Sequence, residues 1–252
     1  MKTYLNKITG ISDAIVSMFL SKRSWTREKE IEIYDVCDRL LDVSGRFVGG
    51  LNESKISLQN QNVNGEDVEK FNKWLASLTK FGQKHITMLR FIDLSVTVEG
   101  LHRGGQDDWD SHAKRFDNRI IRSSTRLATF DNEMSDWYTD KVIPTDKALE
   151  ILGITAPAEI TFENDTYVKS INGYIKKEFA DNKDVKRGLY MLSIPSNFIF
   201  KINLTEWSHI YKERGNHSGA NPEVKLVCED IQSQLESAYP MWSREYLLSI
   251  IN

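Results

Sequence analysis

Cysteine is almost missing from this chain: Cys37 and Cys228 are the only two in 252 residues. They form no C-x-x-C pair and no zinc spacing. Two cysteines so far apart could pair, but a reduced cytoplasmic chain is the expectation. Long apolar runs are missing too. None approaches the ~20 residues of a membrane span, and the opening ten residues lack the apolar core of a signal peptide. A sequon such as Asn164-Asp165-Thr166 therefore carries no weight, because glycosylation needs secretion. An excess of one charge is also absent. The net charge is -3 with 27% charged residues, which lacks the basic footprint of a protein that coats a nucleic-acid backbone. No stable nucleic-acid binding is expected. A small anionic nucleotide remains open, since it needs only a few local arginines.

The common catalytic signatures are missing as well. There is no G-x-S-x-G, no phosphate loop, no G-x-G-x-x-G after a strand and no H-E-x-x-H. The five histidines, His85, His102, His112, His209 and His217, show no regular ligand spacing. Each reads by default as structural or surface, and no metal site is expected.

What is present suits one compact domain. Hydrophobic residues make up 40% of the chain, enough for a single core at this length. Ile31, Tyr34, Cys37, Leu40 and Leu41 recur at helical spacing, as do Val68, Phe71, Trp74, Leu75 and Leu78. Residues 1–80 therefore read as a helical portion, with an Asn-, Ser- and Gly-rich loop over 49–65. Alternation over Leu94-Ser95-Val96-Thr97-Val98 predicts a half-buried strand. The glycine- and aspartate-rich Gly104-Gly105-Gln106-Asp107-Asp108 reads as a turn or loop, followed by a basic stretch over 114–126. Residues 140–180 read as a less regular insertion with a short strand at Ile160-Thr161-Phe162. Phe198, Phe200, Ile202 and Leu204 alternate as a second strand. Asn203 with Glu206 then fits a capping box for a helix with Trp207, Ile210 and Tyr211 on one face. Asn221-Pro222 opens another helix, with Val224, Val227, Ile231 and Leu235 facing inward.

Three segments, in order, resemble the flavin-dependent thymidylate synthase family. Lys84-His85-Ile86-Thr87-Met88-Leu89-Arg90-Phe91 is similar to that family's Gly-His-x-Ser/Thr-x-x-Glu-His element. His85 and Thr87 match, and Arg90-Phe91 stands in place of Glu-His. Ser124-Thr125-Arg126 resembles the Ser-x-Arg that closes the family signature. Lys114-Arg115-Phe116 falls where Arg-His-Arg belongs, so charge is partly kept and identity lost. Residues 184–214 carry the densest match: Arg187, Asn203 and Arg214 fall in register without a gap.

The resemblance implies an α+β fold: a mixed, mainly antiparallel sheet flanked by helices, with an additional helical N-terminal region, in a single domain over 1–252. It implies a methyltransferase and flavoenzyme that methylates dUMP at C5. Methylenetetrahydrofolate would give the carbon, and reduced FAD the hydride, with NADPH as the electron source. By position, Ser124, Arg126, Arg187 and Arg214 would contact the nucleotide, with Ser124 and Arg214 as catalytic groups. His85, Thr87, Lys114, Arg115, Asn203 and His209 would contact FAD. A homotetramer with sites shared between chains is implied too.

Each residue also has an ordinary reading. Asn203 caps its helix, Arg214 favours a helix C-terminus through the helix dipole, and Arg122 and Arg126 are solvated charges on a helix. The lost Arg-His-Arg keeps two alternatives open. One is a related C5 modification such as hydroxymethylation, as in a phage that modifies its DNA, with the host cytoplasm as location. The other is a catalytically silent homologue that binds a nucleotide or another protein.

Overall fold

The structure is a computed structural model, and it describes residues 1–47, 64–110, 119–123, 134–170, 172–182, 189 and 191–250. The elements run β1 (Lys2–Thr9), α1 (Ile11–Ser21), α2 (Arg27–Leu40) and α3 (Gly65–Gly82), then a 3-10 turn (Ile86–Phe91). Next come β2 (Asp93–His102), α4 (Arg103–Asp110), β3 (Arg119–Arg122), α5 (Thr145–Ile151), β4 (Glu159–Phe162), β5 (Asp165–Ser170) and β6 (Gly173–Lys176). The chain closes with β7 (Pro195–Asn203), α6 (Leu204–Ile210), a π turn (Tyr211–Gly215), α7 (Pro222–Ala238) and α8 (Arg244–Ser249). Four strands form a sheet in the order β1-β2-β7-β3, and three form a second sheet in the order β4-β5-β6. This is an α+β fold with antiparallel sheets flanked by helices. Among the described residues, no helix is long and apolar enough to cross a membrane.

The described chain falls into two compact units. One holds Thr3–Thr97 and Ile199–Asn252. Its helices follow their sequence cues. Thr26 caps α2 by accepting from the Lys29 backbone N–H at 3.1 Å, with Glu28 and Glu30 in the first turn and Arg39 in the last. Asn64 caps α3 through the Glu66 N–H, and Arg39 of α2 pairs with Asp67 of α3 at 2.8 Å. The apolar faces of α1 (Ala14, Ile15, Met18) and α3 (Phe71, Leu75, Leu78) are buried together with Leu94 and Val96 of β2 and Ile202 of β7. Burying each of these side chains larger than alanine stabilises the fold by roughly 1.5–3 kcal/mol. The expected alternation in β2 holds: Leu94, Val96 and Val98 are all buried. Leu204, expected to end the second strand, is instead the first residue of α6, because the Asn203 cap stops the strand.

β1 has no counterpart in the reading of the first eighty residues as helical; its buried positions are Thr3, Leu5 and Ile8, and the alternation breaks at the exposed pair Asn6-Lys7. It turns into α1 through Gly10, at φ +80°. A methyl group at Gly10 would run into the Phe91 carbonyl oxygen, so this glycine serves a positive φ and a close approach at once.

The other unit holds Val98–Ser111 and Ile121–Phe198 with the first two residues. Here the expectation of a loop at 104–108 is corrected: these residues lie within α4. The two glycines serve packing. A Cβ at Gly105 would stand 2.7 Å from the His102 ring, so they allow the helix to lie against that buried imidazole. The first turn of α4 donates to the following loop, Arg103 N–H to Ile194 O and Gly104 N–H to Leu192 O, both at 3.0 Å. Gln106 and Trp109 face inward, and Asp107 pairs with Arg122 at 2.9 Å. Arg122 therefore stands on a strand, β3, and is ion-paired; it is not a solvated charge on a helix. The 140–180 region is more regular than its composition suggests. β4 pairs with β5 antiparallel around Glu163-Asn164, both at positive φ, the backbone of a type I′ hairpin.

Both cysteines are unbridged and buried. Burial pushes the Cys37 thiol up to about 12, helped by Asp38 and Asp13. The Cys228 thiol is raised further, by burial and then by Glu229. A raised thiol pKa keeps the unreactive protonated form through neutral pH. Native protein at pH 8 is therefore expected to give no titratable thiol with an aromatic disulfide reagent, and denatured protein two; a fast-reacting native thiol would contradict this burial. Gly10→Ala is expected to lower the unfolding free energy by at least ~2 kcal/mol, read by denaturant titration; unchanged stability would contradict the described turn.

Candidate functional site

The described candidate residues cluster around the turn Ile86–Phe91 and the start and end of α6. The end of α3 sets up the turn, with Lys84 and His85 both donating backbone N–H groups to the Phe81 carbonyl at 3.0 Å. Leu89 and Ile92 are fully buried and anchor it, while His85 and Thr87 stay exposed. The Phe81 ring lies against the His85 imidazole, centroids 4.5 Å apart, with the Lys22 ammonium 4.7 Å from the Phe81 centroid. Lys84 and Arg90 are exposed beside them.

α6 begins against this turn. Leu204 N–H donates to Ile92 O at 2.8 Å, and the Thr205 hydroxyl donates to Ile86 O at 3.1 Å. Asn203 is the N-cap: its Oδ1 accepts from Glu206 N–H at 2.9 Å. The ordinary reading of Asn203 thus holds: its Oδ1 is engaged in the cap, and its carboxamide NH2 is the remaining side-chain donor. His209 sits half-buried in the last turn of α6, one helical turn beyond Thr205. The helix then widens. Asn216 N–H donates to Tyr211 O at 2.8 Å, the i to i+5 bond of a π turn, and Arg214 leaves the backbone from that turn, half-buried.

Of the sequence candidates, the fold therefore gathers His85, Thr87 and Asn203 on two elements in contact, and His209 and Arg214 follow on the same helix and its π turn. Lys114, Arg115, Ser124, Arg126 and Arg187 lie outside the described residues. Two buried acidic side chains were not anticipated as site groups. Glu206 is 2% exposed and Glu223 is 0% exposed, and each has an interaction partner, as a buried polar group requires. Both follow a helix cap by two or three residues. That position is legible in sequence, but their burial is not, because it comes from the packing of α6 and α7. Chemically, the arrangement offers hydrogen-bonding groups at His85, Thr87 and Asn203, exposed basic side chains at Lys84 and Arg90, and a half-buried guanidinium at Arg214. Such a set suits an anionic ligand with further hydrogen-bonding groups.

No protein-family model matches the sequence, and no curated protein matches it. Among solved structures the chain is similar in fold to flavin-dependent thymidylate synthases. A thymidylate synthase ThyX from Helicobacter pylori, crystallised with FAD and dUMP, is 10% identical with a TM-score of 0.53, over 98% of this chain and 100% of that one. A second structure of the flavin-dependent enzyme ThyX from Helicobacter pylori, complexed with FAD and dUMP, is 12% identical with a TM-score of 0.51, covering 100% of both chains. At this identity the likeness shows the fold: a divergent ThyX-like α+β architecture.

Asn203 allows a direct test of its cap. Asn203→Ala is expected to lower stability by about 1 kcal/mol and Asn203→Asp to restore most of it, measured by urea unfolding. An alanine variant as stable as the parent would show that this cap contributes nothing.

Proposed function

We propose that this chain is a flavin-dependent enzyme of nucleotide metabolism that methylates dUMP at C5. The reading is supported above all by the docking of the Ile86–Phe91 turn on the start of α6, in a fold shared over its full length with enzymes crystallised with FAD and dUMP. The side chains there fit a flavin dinucleotide by their chemistry. Exposed His85 and Thr87 supply donors for ribose and diphosphate oxygens, with the Asn203 amide beside them and His209 further along α6. Lys84 and Arg90 supply charge for the diphosphate, and Lys114 and Arg115 join them by the sequence resemblance. Bound reduced FAD would supply the hydride, with NADPH as the electron source and methylenetetrahydrofolate as the carbon donor.

The chain's own groups hold the nucleotide. Arg214 lies against the pyrimidine and stabilises the negative charge that develops on the ring during attack at C5. Ser124, Arg126 and Arg187, carried over from the resemblance, bind the phosphate and orient the base. A homotetramer with sites shared between chains belongs to the same reading. A second reading, an altered C5 modification such as hydroxymethylation, is favoured by the lost Arg-His-Arg signature, where Lys114-Arg115-Phe116 stands instead.

Purified protein is expected to take up FAD, seen as flavin absorbance that co-migrates with the chain. With dUMP, methylenetetrahydrofolate and NADPH it is expected to form dTMP, and Arg214→Ala is expected to cut turnover by roughly a hundredfold. A C5-modified product other than dTMP would favour the second reading. Failure to bind FAD would remove the flavoenzyme reading altogether.

A further inference from the structure

The π turn that carries Arg214 is held by a brace that no part of the proposed reaction uses. α6 and its π turn pack antiparallel to α7, and two side-chain contacts join them. Trp207 Nε1–H donates to Gln232 Oε1 at 2.9 Å. One turn later the Tyr211 hydroxyl donates to Glu229 Oε1 at 3.3 Å. Glu229 is in turn held by Arg244 at the start of α8, with Nη2 2.9 Å from Glu229 Oε2. Arg244 is fixed from a second side, because its backbone N–H donates to Glu236 Oε1 at 2.8 Å. Burial, and then Glu229, push the Tyr211 hydroxyl up to about 12, so it stays a donor across the working pH range.

Gly215 explains why this brace and a wide turn occur together. A Cβ at Gly215 would lie 2.7 Å from the Tyr211 ring and 3.1 Å from Cys228 Cβ. The tyrosine ring thus occupies the space that a side chain at 215 would need, between the π turn and α7. A regular helix would bond the 215 N–H to Tyr211 O; here the bond comes from Asn216. The extra residue in the ring redirects the side chains that leave it, Arg214 among them.

The geometry points to Tyr211, Glu229 and Arg244 as positioning residues: through the π turn they set the direction from which the Arg214 guanidinium meets a nucleotide. This rests on the reading that Arg214 binds the pyrimidine nucleotide. An arginine on a loosely held turn would lose its orientation and keep its charge. The brace should therefore govern nucleotide affinity and leave the FAD-contacting turn at His85 and Thr87 unaffected.

The test measures dUMP binding by calorimetry and FAD binding by fluorescence quenching, on full-length protein, for the parent, Tyr211→Phe, Glu229→Gln and Arg214→Ala. The brace predicts dUMP affinity about tenfold weaker in Tyr211→Phe and Glu229→Gln, with FAD affinity within twofold of the parent and little change in Tm. Parent-like dUMP affinity in both variants, while Arg214→Ala loses it, would overturn the brace and leave the nucleotide reading standing. Equal losses of dUMP and FAD affinity with a lowered Tm would mark a purely structural contact and also overturn it. A parent that does not bind dUMP, or an Arg214→Ala variant that binds it as the parent does, would bring down the nucleotide reading and the brace with it. Should Tyr211→Phe not fold, Glu229→Gln carries the comparison alone.

Discussion

The unit that carries the described site candidates depends on how one short turn is clasped. The turn Ile86–Phe91 has buried anchors at Leu89 and Ile92, and its carbonyls are taken from two directions. On one side the β1–α1 turn comes so close to the Phe91 carbonyl that only a glycine fits at position 10. On the other, Leu204 N–H and the Thr205 hydroxyl reach Ile92 O and Ile86 O. Those bonds answer backbone groups that a 3-10 turn leaves open, and buried carbonyls need such partners. The same bonds set where α6 begins, and so where Asn203 caps it. The exposed edge of the turn, with His85 and Thr87, is a consequence of burying the opposite edge.

From α6 onward the constraint passes to α7. Trp207 on Gln232 and Tyr211 on Glu229 tie the two helices side by side, and Gln232 also donates to the Trp242 carbonyl at 2.9 Å. Buried polar pairs of this kind specify one register where apolar contacts alone would tolerate sliding. The helix accommodates that register with a π turn, and the turn bears the arginine on which the nucleotide reading rests. Widened turns of this sort recur at functional sites. Two acidic side chains, Glu206 and Glu223, are buried in the same pair of helices, so this part of the core is polar as well as apolar.

Much of this was legible in the residues, for local reasons. The alternation of Leu94, Val96 and Val98, the Asn203 and Asn221-Pro222 caps, and the inward rows of α3 and α7 each follow from strand or helix period and from backbone groups that need a partner at a helix end. The failures are equally physical. Gly104-Gly105 looked like a turn because glycine permits one, yet here it allows a helix to approach the His102 ring. In β1 the alternation breaks after Leu5, because Asn6 and Lys7 are both exposed before Ile8 is buried, so no period of two declares itself. The π turn leaves no trace in period, since it follows from the fit of Tyr211 over Gly215. For the site, Asn203, Arg214, His85 and Thr87 were reached through resemblance, and the fold sets them on neighbouring elements. Glu206, Glu223 and the Tyr211–Glu229–Arg244 brace were not, because burial and cross-helix pairing belong to tertiary packing.

The account turns on the clasped turn and α6 forming the floor of a flavin and nucleotide site. A crystal structure of the full chain grown with FAD and dUMP tests that most directly. The account predicts flavin density within hydrogen-bonding reach of His85 and Thr87 beside the start of α6, with the nucleotide against Arg214. Both ligands bound elsewhere on the chain, or the Ile86–Phe91 edge and Arg214 left bare at saturating ligand, would contradict it.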